Sequence, residues 1–187
     1  MSDTTSTHEP RTTRGLLQHY LGDLVYGAND GIITTFAVVS GVTGAALSSR
    51  IILILGFANL LADGFSMGAS NYLAIRSDEA ARGAAGKESV EPFALRHGLA
   101  TFLAFLVAGM VPLLAYLVTG PIADDTFRTA VTLTLLALFA VGASRSLVTG
   151  GSWWRSGGEM LLVGGAAALV AYGVGALVAG ITDRGGV

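Results

Sequence analysis

The chain has 187 residues, 52% of them hydrophobic and only 13% charged, with a mean hydropathy of +0.63. A soluble domain carries about a quarter charged residues, so most of this surface must face lipid and an ordinary soluble globule is excluded. A net charge of −2 without a basic, aromatic-interleaved patch argues against nucleic acid as a partner, and the lack of cysteine excludes disulfides, thiolate metal sites and iron–sulfur clusters.

In chain order, residues 1–19 are polar and hold no apolar core, so no cleavable signal peptide is expected there. They read as a disordered cytosolic tail, rich in Thr and Ser from Met1 to about Thr13. A first transmembrane span is expected at about 22–46, interrupted by Asp23 and Asp30. These acids are seven residues apart and share one helical face, about 10 Å from each other along the axis. Asp23 lies near the mouth and has two readings, a ligand or a helix N-terminal acid held by the macrodipole. Asp30 is too deep for the second.

The second span, about 51–75, is a 25-residue stretch whose one charged residue is Asp63. Its length suits a crossing of roughly 30 Å of hydrocarbon. Inserting a carboxylate at its centre costs at least about 2.5 kcal/mol, a cost tolerated where the charge meets a cation, a proton or a water-filled path. Asn59, Asp63 and Met67 stand four residues apart in one row. An amide oxygen, a carboxylate and a thioether make a plausible donor set for a divalent metal. Packing for Met67 and interhelical hydrogen bonding for Asn59 and Asn71 are the plainer alternatives. Asn29, Asn59 and Asn71 are candidates for lining an ion path.

A cytosolic loop is expected at 76–97, with His97 at its end read as an interfacial residue. The third span, about 98–120, is free of charge and carries Pro112, which should kink it. The fourth, about 129–145, lies between Arg128 and Arg145, whose side chains should snorkel. The fifth, about 159–182, is free of charge from Met160 to Thr182 and leads into a tail at 183–187. Arg145 and Glu159 read as a structural ion pair near one interface, and Trp153 and Trp154 as anchors of the turn between them. The fold class is thus an all-α integral membrane protein of five transmembrane helices.

Eight cationic residues fall on one side of such a topology: Arg11, Arg14, Arg76, Arg82, Lys87, Arg96, Arg145 and Arg155. Arg50, Arg128 and Arg184 fall on the other. The positive-inside rule then puts the N-terminus in the cytosol and the C-terminus outside or in a lumen. In this frame Asp30 and Met67 are each about eight residues from the cytosolic ends of their spans, at similar depth, with Asp63 about a turn further in. The pairs Gly27-xxx-Gly31 and Gly64-xxx-Gly68 flank these residues and permit close backbone approach.

The residues lie in two blocks, Asp23 to Gly41 (DLVYGANDGIITTFAVVSG) and Ala58 to Leu73 (ANLLADGFSMGASNYL). Both resemble the vacuolar iron transporter family, including its short bacterial members and the nodulin-like plant branch. Weaker echoes at 101–116 and 156–160 extend the likeness over about residues 20–180. The resemblance implies a five-helix fold that dimerises, with an ion path between the first two helices. It also implies export of Fe²⁺, often Mn²⁺ as well, from the cytosol against protons. Asp23 and Asp30 fall on the acidic pair of the family's first helix, Asp63 and Met67 on the acid and methionine of its second. Two departures stand out. Better-known members carry a large acidic helical insert between the second and third spans, whereas here Asp78, Glu79, Glu88 and Glu91 share a short connection with four basic residues. That metal-gathering site is not carried over. Ala115 stands where relatives commonly have a second proline, so a milder kink is expected.

The functional expectation is a homodimeric divalent-metal exporter with no permanently bound cofactor, using Fe²⁺ or Mn²⁺ as cargo and protons as the coupling ion. A passive cation channel built on the same acids and a non-transporting membrane scaffold are the rivals. No nucleophile–base set or metalloprotease spacing supports an enzyme. The small, alanine-rich chain favours a bacterial inner membrane, or a vacuolar membrane if the source is eukaryotic.

Overall fold

A computed structural model describes residues 12–118 and 125–185. Most of the expected tail (1–11), the last positions of the third expected span (119–120) and residues 186–187 lie outside the described residues. Among the described residues there are six helices and no strand: α1 (Thr13–Gly44), α2 (Ser49–Ala84), α3 (Ala94–Gly109), α4 (Val111–Val118), α5 (Thr126–Thr149) and α6 (Trp153–Gly185). The helices overrun the apolar segments because polar residues that favour helix extend them beyond the hydrocarbon. Thus α1 begins at Thr13, inside the stretch read as a disordered tail, capped by the Thr12 hydroxyl accepting from the Gly15 amide at 3.2 Å. Likewise α2 continues to Ala84, well into the expected loop. Gly150 ends α5 in the left-handed region at φ 69°, which glycine adopts without a Cβ penalty.

Pro112 acts as expected. It has no N–H to give the Ala108 carbonyl, and its ring crowds that oxygen. The third rod is interrupted at Met110, whose carbonyl accepts from both Leu113 (3.0 Å) and Leu114 (3.1 Å). α3 and α4 are therefore two pieces of one span.

Four rods are long and apolar enough to cross a membrane: Ser49–Ala84, Ala94–Val118, Thr126–Ser146 and Trp153–Thr182. α1, the first expected span, has the length but not the composition, because Asp23, Asn29 and Asp30 interrupt its apolar run. The packing explains how it tolerates them. α1 touches α2, α3, α4, α5 and α6 and forms the hub of the bundle. The other helices stand between it and lipid, so its polar face needs no lipid-compatible surface. Ile32, Phe36 and Val39 of α1 are buried with Leu60, Phe105, Leu113 and Leu138. The outer faces of α2 and α6 instead expose Ile54, Leu61, Phe65, Leu169, Leu177 and Ile181, as a lipid-facing surface should.

Candidate functional site

On α1, His19, Asp23, Gly27 and Gly31 recur every four residues and form one row. On α3 the corresponding row is His97, Thr101, Phe105 and Gly109. The rows meet side by side and in parallel. The rings of His19 and His97 are 4.9 Å apart, and Asp23 meets His97 and Thr101. A Cβ on Gly27 would collide with the Thr101 carbonyl, and one on Gly31 with the Phe105 carbonyl. α2 closes on α3 by the same device: a Cβ on Gly68 would stand 2.7 Å from the Gly98 oxygen, and one on Gly98 2.6 Å from the Gly68 oxygen. Both glycine pairs legible in the sequence are therefore used to seat α3 between α1 and α2.

This close seating builds a polar mouth. Asp23 Oδ1 accepts from Asn71 Nδ2 at 2.6 Å, and Asp23 Oδ2 lies 2.5 Å from His97 Nδ1. Asn71 Nδ2 also donates to Thr101 Oγ1 at 2.8 Å, and that hydroxyl donates to the His97 carbonyl at 3.0 Å. Two sequence expectations change here. Asp23 lies ten residues inside α1, so the helix-terminus reading does not apply. His97 is not an interfacial residue: its side chain is 9% exposed, enclosed by Asp23, Glu91, His19 and Tyr20. The sequence placed it at a boundary because α3 was expected to start at residue 98 rather than 94.

The Asp23–Asn71 bond also sets the register of α1 against α2. At 1.5 Å per residue, Asp30 lies about 10 Å deeper than Asp23, Met67 about 6 Å deeper than Asn71, and Asp63 about 12 Å deeper. Asp30 is thus nearer the level of Asp63 than of Met67, a shift of under a turn from the expected depths. Asp30 and Asp63 feel each other's charge across the α1–α2 boundary. No cation pairs with either among the described residues. Asn29 precedes Asp30 and Asn59 lies one turn from Asp63 along α2, and Asn29 Oδ1 and Asn59 Nδ2 are buried without a hydrogen-bond partner among the described residues. Such unpartnered polar atoms are costly unless they serve an ion or water. Met67, half-buried, packs against the main apolar core. On the same side of the bundle as Asp23, Arg145 Nη2 lies 3.2 Å from Glu159 Oε2, with both side chains substantially exposed. A pair so exposed stabilises by at most about 1 kcal/mol.

Sequence reading missed His19, Glu91 and Thr101. His19 and Thr101 are visible in hindsight as members of the two four-residue rows. Glu91 gives no such signal, because it sits between helices and is placed by its loop.

Long apolar helices around a polar hub, with acids on two of the helices, define the class: a multi-pass membrane protein. The sequence model of the VIT family matches residues 21–91 and 80–176. The chain belongs to that family. The two matched segments meet in the connection between α2 and α3. Among similar proteins, a "Vacuolar iron transporter" of Toxoplasma gondii is 27% identical over 224 aligned positions, covering 85% of this chain and 74% of that protein. "Vacuolar iron transporter 1" of Arabidopsis thaliana is 26% identical, covering 80% of this chain and 82% of its own length. "Vacuolar iron transporter homolog 5" of Oryza sativa subsp. japonica is 30% identical over 168 positions, covering 83% and 79%. The first two alignments are longer than this whole chain, so those relatives contain residues that it lacks.

Proposed function

We propose that this protein exports Fe²⁺, and Mn²⁺ as a second cargo, from the cytosol in exchange for protons. The observation that carries the reading is the facing pair Asp30 and Asp63, held mid-bundle beside the unpartnered Asn29 and Asn59 in a chain whose relatives are named as iron transporters. Two carboxylates in a low-dielectric setting cannot both stay charged without a counter-ion. Either a divalent metal or protons must neutralise them, and competition between the two for the same oxygens is the core of an antiporter. Oxygen donors alone would also accept Ca²⁺ or Mg²⁺. A thioether from Met67, one turn toward the mouth, would bias the path toward a transition metal. The N-terminus, with Asp23 and the α2–α3 connection, lies on the cytosolic side in this reading. A second copy would pack on the exposed apolar face of α2 and bring two sets of ligands to one axis.

Purified protein in proteoliposomes tests this directly. Fe²⁺ and Mn²⁺ should enter the vesicles, Ca²⁺ should not, and flux should rise with an imposed proton gradient. Metal flux indifferent to that gradient would identify a passive channel instead.

A further inference from the structure

Outside the intramembrane pair, His19, Glu91 and His97 form a cluster that transport through Asp30 and Asp63 does not require. His19 comes from the start of α1, Glu91 from the α2–α3 connection and His97 from the first turn of α3. One ligand atom from each can be chosen so that all lie within 4.8 Å of one another. His97 Nε2 is 3.2 Å from Glu91 Oε1, and His19 Nε2 is 3.4 Å from Glu91 Oε2. The two contacts use different Glu91 oxygens, so one ion would draw the set from its 4.8 Å spread toward the spacing of about 3.4 Å that ligands on bonds of 2.0–2.1 Å have at tetrahedral angles.

Asp23 Oδ2 lies 2.5 Å from His97 Nδ1, so that ring nitrogen is engaged and Nε2 is the one left to face a ligand. That atom is buried, makes no hydrogen bond, and faces the oxygens of Glu91. His19 Nε2 is likewise buried without a hydrogen bond. A ring nitrogen and a carboxylate oxygen at this distance are held together by a proton or a metal ion between them. Asp23 behind His97 is the carboxylate–histidine arrangement that orients a metal-binding imidazole and raises its basicity. The loop is placed with equal care: Glu79 accepts from the amides of Val90 (3.1 Å) and Glu91 (2.9 Å), pinning the backbone that carries the Glu91 ligand. A cavity of about 310 Å³ lined by Arg76, Glu79, Ser89 and Glu91 opens onto it from outside the bundle.

We infer that His19, Glu91 and His97 form a three-ligand site for a divalent transition metal at the mouth of the bundle, with Asp23 as the positioning residue of His97. Two imidazoles and one carboxylate with an open fourth position suit Fe²⁺, Co²⁺ or Zn²⁺ and reject Ca²⁺ and Mg²⁺. An open position lets the metal leave toward the next oxygens, so the site is a capture point one helical turn outside Asp23. The capture role rests on the transport reading. The binding site does not.

Co²⁺ titrated into the purified, detergent-solubilised protein is the probe, because its visible bands report ligand number and type. Wild type should show bands of a four-coordinate nitrogen–oxygen site. His19→Ala, at a partly exposed position, and Glu91→Gln should each weaken Co²⁺ binding by at least about tenfold and abolish those bands. Asp30→Asn should leave them intact. In vesicles, His19→Ala should raise the half-saturating metal concentration. Unchanged spectra and affinity in both mouth variants would overturn the site, as would bands lost only in Asp30→Asn. If wild-type vesicles move no metal yet the bands depend on His19 and Glu91, the transport reading falls and the binding site stands.

Discussion

Asp23 and Asp30 lie on one face of one helix, two turns apart, yet the fold treats them differently. At the mouth each oxygen of Asp23 has a partner, Asn71 for one and His97 for the other. Deeper in, Asp30 lies within charge range of Asp63, and no cation pairs with it among the described residues. A carboxylate that folding satisfies contributes geometry, and removing it disturbs its neighbours. A carboxylate that folding leaves unsatisfied is a standing cost, which makes sense where an ion or proton periodically offsets it. The same residue type is thus held by hydrogen bonds in one place and left without a cation in the other, which is what the transport role proposed for Asp30 requires.

The strongest break in this contrast comes from Asp30→Asn, which keeps shape and deletes both charge and titration. It should abolish Fe²⁺ flux in proteoliposomes while melting no lower than wild type, and Asp63→Asn should be nearly as damaging. Normal flux in either correctly inserted variant would remove that acid from the path. Gly68→Ala comes next and acts on structure alone. Its Cβ would stand 2.7 Å from the Gly98 oxygen and 2.9 Å from Phe102 Cβ, forcing α2 off α3. Overpacking of this kind costs about 1–3 kcal/mol. It should appear as a lowered melting temperature in detergent, together with weakened Co²⁺ binding at the mouth.

A subtler test is Met67→Leu, which preserves volume and removes sulfur. The Fe²⁺-to-Ca²⁺ flux ratio should fall with little change in melting temperature, and an unchanged ratio would leave Met67 with packing alone. The smallest effect concerns the loop anchor. Glu79 is held below its ordinary value of 4.5, first by the Ser89 hydroxyl and then by the Glu91 and Val90 amides. These bonds favour the ionised form, so the anchor is complete above that ordinary value and is lost as pH falls through the lowered one. Protection of the Val90 and Glu91 amides, measured as exchange relative to the intrinsic rate at each pH, should be high near neutrality and fall in acid. Glu79→Gln should exchange faster at neutral pH and lose most of that dependence.

Much of this was legible in the sequence, for identifiable reasons. A charge in an uncharged apolar stretch is conspicuous, so Asp63 stood out, and helical spacing alone put Asp23 and Asp30 on one face. Pro112 announced its break. What periodicity cannot tell is which neighbour a face meets. The glycine pairs signalled close approach, but not that α3 would be the helix approached from both sides. That omission hid His97 and Thr101, which become polar-network members only once α3 sits against α1. The depth of Asp30 relative to Met67 was off by under a turn because span ends were read from apolarity, whereas the true register is set by the Asp23–Asn71 contact. Glu91 had no periodic signature at all.

The meeting of α1 with α3 carries a further consequence. A row that repeats every four residues looks nearly the same after sliding by one turn, about 5.4 Å. Gly27 and Gly31 would fit beside Phe105 and Gly109 almost as well as beside Thr101 and Phe105. The polar contacts of Asp23 with His97 and Asn71 break that near-symmetry, and the glycine contacts of α1 with α6 hold the same setting.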